Sequence, residues 1–207
     1  MGEVVALGSG TSRFHTGERV ITNYCTRWID GPPQVNESLY TLGNTKPGAL
    51  AEYLVISENV LVAAPAYLSN EEAAALPCAG LTAWYALIEK GQLAAKQTIL
   101  VQGTGGVSLF GLQIASALGA EVIVSSSSDE KLERVKSLGA KYTINYARTP
   151  DWEKEALAIT NQQGVDHILE VVGGKNLMRS VTALKPGGQI SVIGTLMASR
   201  QTSRFFP

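Results

Sequence analysis

The stretch "TILVQGTGGVSLFGLQIASALGA" (98–120) decides how this chain is read. Five residues, Thr98 to Gln102, form a short apolar run of the kind that makes a fully buried strand. Gly103-Thr104-Gly105-Gly106-Val107-Ser108 then follows the spacing of a G-x-G-x-x-G phosphate cradle, with serine in place of the third glycine. Residues 106–118 place Leu109, Ile114 and Leu118 on or near one helical face, and Gly119 stands just beyond. In such a turn Gly103 permits the bend after the strand and Gly105 lets backbone approach a pyrophosphate. The N–H groups of about residues 105–108 would open the helix and face an anion. Serine is small enough to keep most of the helix–strand contact that the third glycine normally allows. Its hydroxyl is expected to bond a carbonyl one turn earlier.

Working toward the C-terminus, the alternation repeats. Strands are expected at 121–126, 141–146, 165–172 and 189–194, and helices at 129–139, 151–160 and 175–185. Near-continuous apolar strands alternating with helices give βαβ units and a parallel sheet. Right-handed crossovers make it a doubly wound α/β Rossmann sheet of order 3-2-1-4-5. Working toward the N-terminus, strands are expected at 3–7, 19–22, 49–56 and 59–65, around a long loop at 25–48. Ser69 with Glu71 and Glu72 signals a helix start, and a second helix is expected from about Leu81 to Lys90, ended by Gly91. The domain boundary falls between residues 73 and 74: a β-rich part at 1–73 and the Rossmann part at 74–207.

Bulk properties narrow the partners. The chain has 207 residues, 45% apolar and 17% charged, with a formal net charge of -1. No basic block is present, which argues against nucleic acid or an anionic membrane. No apolar run approaches the roughly 18 residues that span a bilayer, and the first ten residues lack the signature of a signal peptide. Cys25 and Cys78 alone suggest no disulfide framework, and the expected compartment is the cytoplasm.

The end of the second Rossmann strand bears on cofactor choice. An NAD site commonly has a carboxylate there for the ribose 2′-OH, whereas this chain has Ser126. Ser127 and Glu130 have the spacing of a capping box, which places Asp129 and Glu130 in the first helical turn. The serines can donate to a 2′-phosphate and Lys131 can supply charge, so NADP(H) is preferred over NAD(H).

Together, "GEVVALGSG", "GALAEY", "EEAAALPCAGLTAWYAL", "VQGTGGVS", "SSSDEKLERVKSLGA" and "INY" resemble the medium-chain dehydrogenase/reductases, most of all their zinc-free, quinone-reductase-like alcohol dehydrogenase homologues. The resemblance runs from about residue 2 to 196 and implies a GroES-like β-barrel followed by the Rossmann domain. It implies that Gly103, Thr104, Gly105, Gly106 and Val107 hold the pyrophosphate, and that Ser126, Ser127, Lys131 and Tyr146 lie at the adenosine 2′-phosphate. By the same resemblance, Thr82 approaches the nicotinamide ribose, and Gly194, Thr195 and Leu196 face the carboxamide. Cys78 matches a zinc ligand of zinc-bearing members, but His15, Cys25 and His167 fall at the wrong places to complete a set. No zinc is therefore expected. Cys78 reads as a small buried thiol, and His167 as structural.

The resemblance also implies a piece of a longer fold. The family's barrel begins before "GEVV", and its sheet has a sixth strand where this sequence ends in "MASRQTSRFFP". The fifth strand is then expected at a sheet edge. The implied activity is zinc-independent hydride transfer from NADPH to a small enone, quinone or carbonyl, with no catalytic acid assigned. A non-catalytic NADP(H)-binding protein is the alternative. A methyltransferase, which also uses a glycine-rich first turn, is disfavoured by Ser126. Beyond the small-molecule substrate, a second copy of the chain, as a homodimer, is the candidate partner.

Overall fold

Two antiparallel pairings build the first part of the chain in the computed structural model, which describes residues 1–32 and 35–194. Strand β2 (Arg19–Thr22) lies between β1 (Gly2–Glu3) and β3 (Leu61–Ala63). Val20 and Leu61 close with Phe14 into a small buried cluster. The strand expected over 3–7 is only two residues long. After Val4 exchanges backbone bonds with Glu18 and Gly17, the chain turns away through Gly8 and Gly10. The strand expected over 49–56 does not form: Leu50, Tyr53 and Val55 are exposed and the segment has no regular structure. Alternating apolar residues become a strand only when a neighbouring strand offers a ladder and a face to bury against. The strand expected over 59–65 shrinks to β3, because Glu58–Val60 form a 3-10 turn capped by Ser57.

Helix α1 (Asn70–Ala75) begins at a reciprocal capping box: Ser69 Oγ accepts from Glu72 N–H, and the Glu72 carboxylate accepts from Ser69 N–H. Its continuation corrects the expected pair of separate helices. The helical run passes through a π turn at Leu76–Gly80 into α2 (Leu81–Trp84) and a second π turn at Tyr85–Lys90. Pro77 brings no N–H to the ladder, and the wider turn accommodates that gap. Gly91 follows the run, yet its φ of -79° is ordinary. It is small because a Cβ there would lie 2.7 Å from the carbonyl oxygens of Ala86 and Leu87.

The remaining strands are β4 (Thr98–Gln102), β5 (Glu121–Ser126), β6 (Tyr142–Asn145), β7 (Val165–Glu170) and β8 (Leu184–Val192). All pair in parallel, in the order β6-β5-β4-β7-β8, which is the expected 3-2-1-4-5. The helices between them are α3 (Gly106–Ala117), α4 (Asp129–Ser137), α5 (Trp152–Ile159) and α6 (Asn176–Ala183). Both faces of the sheet are covered. Ile99, Val101, Val122 and Val124 pack with Leu87, Leu112 and Val135, while Leu100, Ile123, Ile144 and Ile168 pack with Trp152 and Ala156. Alternate residues of one strand thus enter opposite layers, the signature of a doubly wound sheet.

Strand β8 begins at Leu184, five residues before the expected start at Gln189. Pro186-Gly187-Gly188 is not a connector but part of the strand, at an irregular register opposite Val165 and His167. Gly187 has φ +80°, and a Cβ on Gly188 would lie 2.9 Å from Asp166 O. Among the described residues β8 pairs only with β7. The chain divides into two compact units, Met1–Cys78 and Ala79–Pro207. No helix among the described residues is long and apolar enough to cross a membrane.

Candidate functional site at the carboxyl ends of the parallel strands

The turn after β4 has the geometry of an anion cradle. Gly103 is left-handed at φ +74°, and its N–H donates to Ser125 O at 2.7 Å. Gly105 caps α3 in an extended conformation, and no side chain bonds the helix end. The N–H groups of the first turn, Gly106 to Ser108, are therefore left for solvent or a ligand. A Cβ at Gly103 or Gly105 would meet nothing within 4 Å, so the space beside the turn is open. Free donors, open room and the positive end of a helix fit a pyrophosphate.

Ser108 is buried, and its Oγ donates to the backbone oxygen of Gln102 at 2.6 Å. The acceptor is the last residue of β4, not a carbonyl one turn earlier in the helix as expected. The hydroxyl therefore ties helix to strand. The close approach that the fingerprint assigns to its third glycine is found at Gly111 instead. A Cβ there would stand 2.5 Å from Leu169 Cδ1 and 3.4 Å from Val101 Cγ1. Sequence reading missed Gly111, although a glycine inside a helix costs about 1 kcal/mol against alanine and so signals a packing reason.

A cleft of about 640 Å³ opens beside this turn. The turn contributes Gly103, Gly105, Gly106, Val107 and Ser108, and the strand ends contribute Gln102 and Ser125. Tyr146, Pro150 and Trp152 line it after β6, Val171 and Val172 after β7, and Asn176 and Arg179 on α6. The cleft lies at the carboxyl ends of β4 and β7, where the strand order reverses. That switch point is where open α/β sheets bind ligands.

The expected site residues divide accordingly. Gly103, Gly105, Gly106, Val107 and Tyr146 line the cleft, whereas Thr104, Thr82, Ser126, Ser127, Lys131 and Gly194 do not. Ser126 is buried and accepts the N–H of Ser128, while its backbone oxygen accepts from Tyr146 N–H at 3.1 Å. The cap of α4 is Ser128, whose Oγ accepts from Lys131 N–H at 3.3 Å. This corrects the capping box expected of Ser127 and Glu130: Ser128 holds the extended conformation that a cap requires, and Ser127 is exposed. Lys131 is exposed on the first turn of α4. Thr82 is half-buried in α2. Gly194 donates to Glu170 O. Thr195 and Leu196 lie outside the described residues.

Asp129, the carboxylate nearest in sequence to the end of β5, is fully engaged. One oxygen accepts from Asn145 Nδ2 at 2.7 Å and the other pairs with Arg148.

The strongest polar feature beside the cleft is Glu170, which sequence reading passed over. It ends β7 with no solvent exposure. Gln102 Nε2 donates to it at 2.9 Å, as do the N–H groups of Val172 and Gly173, both also at 2.9 Å. Ser180 Oγ and Asn176 Nδ2 complete the set. Burial alone would push its carboxyl up, but the donors, Ser180 foremost, outweigh burial and hold it below the ordinary carboxylate value. Among the described residues no cation is bonded to it. The signal was available: an acid in the apolar run "VDHILEVV" must be satisfied internally.

Cys78 is exposed on the first π turn, not buried as expected. His167 is buried in β7, where burial lowers its pKa against the opposing charge of Asp166. Among the described residues no group of three or more His, Cys, Asp or Glu side chains could hold a metal ion.

Comparison with known proteins agrees with this fold. The family profile "Alcohol dehydrogenase GroES-like domain" matches residues 1–66, and "Zinc-binding dehydrogenase" matches residues 106–207. The chain belongs to the medium-chain dehydrogenase/reductase superfamily, whose members are NAD(P)-binding dehydrogenases. A zinc-type alcohol dehydrogenase-like protein of Schizosaccharomyces pombe is 45% identical over 98% of this chain and 59% of its own length. A crystal structure from Sinorhizobium meliloti 1021, assigned as an alcohol dehydrogenase, superposes with a TM-score of 0.89 at 51% identity, over 96% of this chain and 59% of that one. The quinone oxidoreductase of Pseudomonas syringae pv. Tomato DC3000 gives a TM-score of 0.77 at 32% identity, over 94% of this chain and 54% of that one. The chain thus spans about 59% of the first two relatives.

Proposed function

We propose that this chain binds a nicotinamide dinucleotide in the cleft at the ends of β4 and β7, and prefers NADPH. In this reading its activity is zinc-independent reduction of a small enone, quinone or carbonyl. The observation that carries the proposal is the uncapped first turn of α3, set behind left-handed Gly103 at the switch point of the sheet. Relatives named as alcohol dehydrogenase-like proteins and a quinone oxidoreductase support the reaction class.

The N–H groups of Gly106, Val107 and Ser108 would hold the pyrophosphate, and Ser108 would keep that turn fixed on β4. Tyr146, 44% exposed beside the cleft, offers a ring to the adenosine half. The preference for NADPH is supported by Ser126 at the end of β5, where no carboxylate repels a 2′-phosphate. It is supported too by Asp129, whose charge is met by Arg148 and Asn145. Lys131 remains exposed nearby in sequence as a further cation. The apolar side chains of Val171, Val172 and Trp152 exclude water from part of the cleft. Hydride transfer from the nicotinamide C4 is the chemistry this cofactor supplies when bound. The described residues offer no ligand set for zinc, and no step is assigned to it.

Titration of the purified chain with NADPH and with NADH, read by tryptophan fluorescence, tests the binding. Tighter binding of NADPH is expected, and no response to either nucleotide would refute the proposal. NADPH oxidation with quinones and enals tests the activity; tight binding with no acceptor consumed would leave the non-catalytic alternative standing.

A further inference from the structure

Arg179 alone is charged among the described residues that line the cleft, yet its charge is already answered by the protein. Nε donates to Glu153 Oε2 at 2.8 Å, and Nη2 lies 2.6 Å from the same oxygen. Nη2 also donates to the carbonyl of Pro150, and Asp151 Oδ1 stands 4.0 Å from it. The guanidinium carbon sits 5.4 Å from the centre of the Trp152 ring. One side chain of α6 thus touches every residue from Pro150 to Glu153, where α5 begins. Pro150 and Trp152 form a wall of the cleft together with Tyr146.

Little else fixes the far end of that wall. The N–H groups of Arg148 and Thr149 donate back to Asn145 O, and that of Ala147 to Asn145 Oδ1, so these bonds anchor only its beginning, at the end of β6. Trp152 is seated by packing with Leu100 and Ile123. Pro150 has no N–H, and among the described residues its carbonyl accepts from Arg179 alone.

We propose that Arg179 is a positioning residue: by tying Pro150 and Glu153 to α6 it holds the wall from Tyr146 to Trp152 at its ligand-bound width before the dinucleotide arrives. This rests on the dinucleotide reading of the cleft. A wall ordered in advance spares the ligand the cost of ordering it on binding. An arginine in such a cleft has an obvious rival role, as a cation that meets a phosphate directly. The geometry disfavours it, because Nε and Nη2 are spent on Glu153 and Pro150 and the charge is balanced by a carboxylate whose side chain is only 13% exposed. The two roles predict opposite signs for one substitution. Removing the charge of Glu153 loosens a clasp, but it strengthens a phosphate-binding cation.

The test is the Kd for NADPH and for NADH of the purified full chain and of Arg179→Ala, Arg179→Lys, Glu153→Gln and the Arg179→Ala, Glu153→Gln double variant. Arg179→Ala should weaken both nucleotides alike, by about tenfold, since the wall and not a phosphate is affected. Arg179→Lys keeps the charge, but its single ammonium cannot reproduce the planar guanidinium that serves Glu153 and Pro150 together, so it should recover little of the loss. Glu153→Gln should weaken NADPH about threefold in the wild-type background and change nothing further beside Arg179→Ala. Full recovery by Arg179→Lys, or tighter NADPH binding by Glu153→Gln, would overturn positioning in favour of direct charge. A lower melting temperature in Arg179→Ala with both Kd values unchanged would reduce the clasp to a structural one and overturn the proposal too. Should Arg179→Ala fail to fold, the lysine variant and Glu153→Gln still decide between the roles. Wild-type protein that binds neither nucleotide would refute the dinucleotide reading itself, a result distinct from any of these.

Discussion

Ser108 Oγ donates to the carbonyl of Gln102 at 2.6 Å, joining the first turn of α3 to the last residue of β4 inside the protein. The bond spans the whole glycine loop. It makes the loop a closed ring of backbone with one side-chain clasp. Ser108→Ala should destabilise the chain by about 1–3 kcal/mol, because a buried carbonyl loses its partner. Urea unfolding followed by circular dichroism measures this. An unchanged midpoint would mean that the clasp contributes nothing.

Gly111 predicts a separate effect from the same helix. Its missing side chain lets α3 press against Leu169 of β7, which is fully buried. Gly111→Ala should cost about 1–3 kcal/mol by overpacking, despite the better helix propensity of alanine. A rise in melting temperature on this substitution would show that the contact is slack.

The pairing of Arg148 with Asp129 bears on cofactor choice. With Arg148→Ala the Asp129 carboxylate is left charged with only Asn145 as partner. NADPH affinity should then fall about tenfold more than NADH affinity, a difference of about 1.4 kcal/mol. Arg148→Ala combined with Asp129→Asn should recover part of the loss. Equal losses for both nucleotides would refute a role in discrimination. The same comparison on Lys131→Ala asks whether that lysine meets the 2′-phosphate.

Acid should destabilise the chain through two buried groups in β7. His167 is held below the ordinary imidazole value, by burial above all, so the unfolded state takes up its proton first as pH falls. Its contribution is complete above the ordinary imidazole value and is lost as pH drops toward its folded value. Glu170 lies below the ordinary carboxylate value, where its hydrogen bonds outweigh burial, so its contribution is lost only at more acid pH. The urea midpoint of wild type should decline between about pH 7 and about pH 5. His167→Gln should flatten that stretch of the curve. A variant with the wild-type slope would place the titration elsewhere.

The legible and illegible parts of this chain differ in where their determinants lie. Strands β4, β5 and β7 were readable because each is an apolar run buried on both faces, so the residues carry the signal themselves. The first unit was harder. "ALAEYLVI" has the composition of a strand, but its fate depended on a partner strand that composition does not reveal. The loop Gly103–Ser108 was legible from spacing. The bond that closes it was not, because the distance from Ser108 to Gln102 follows from how the helix packs on the strand. Asn176 gave no signal at all: an asparagine in the first turn of the helix expected over 175–185 carries no mark of a site until the carboxylate behind it is seen.

The distribution of buried bulk has a consequence in time. Every one of the largest fully buried side chains lies between Leu87 and Glu170, most of them on the five-stranded sheet. The segment before β3 carries Leu50, Tyr53 and Val55 in the open. Amide protons report such contrasts directly, since exchange requires the local structure to open. Those of β4, β5 and β7 should persist longest in deuterated solvent, while those of residues 49–57 should vanish at once. The parallel sheet would thus keep a record of its hydrogen-bonded state for hours after residues 49–57 have exchanged.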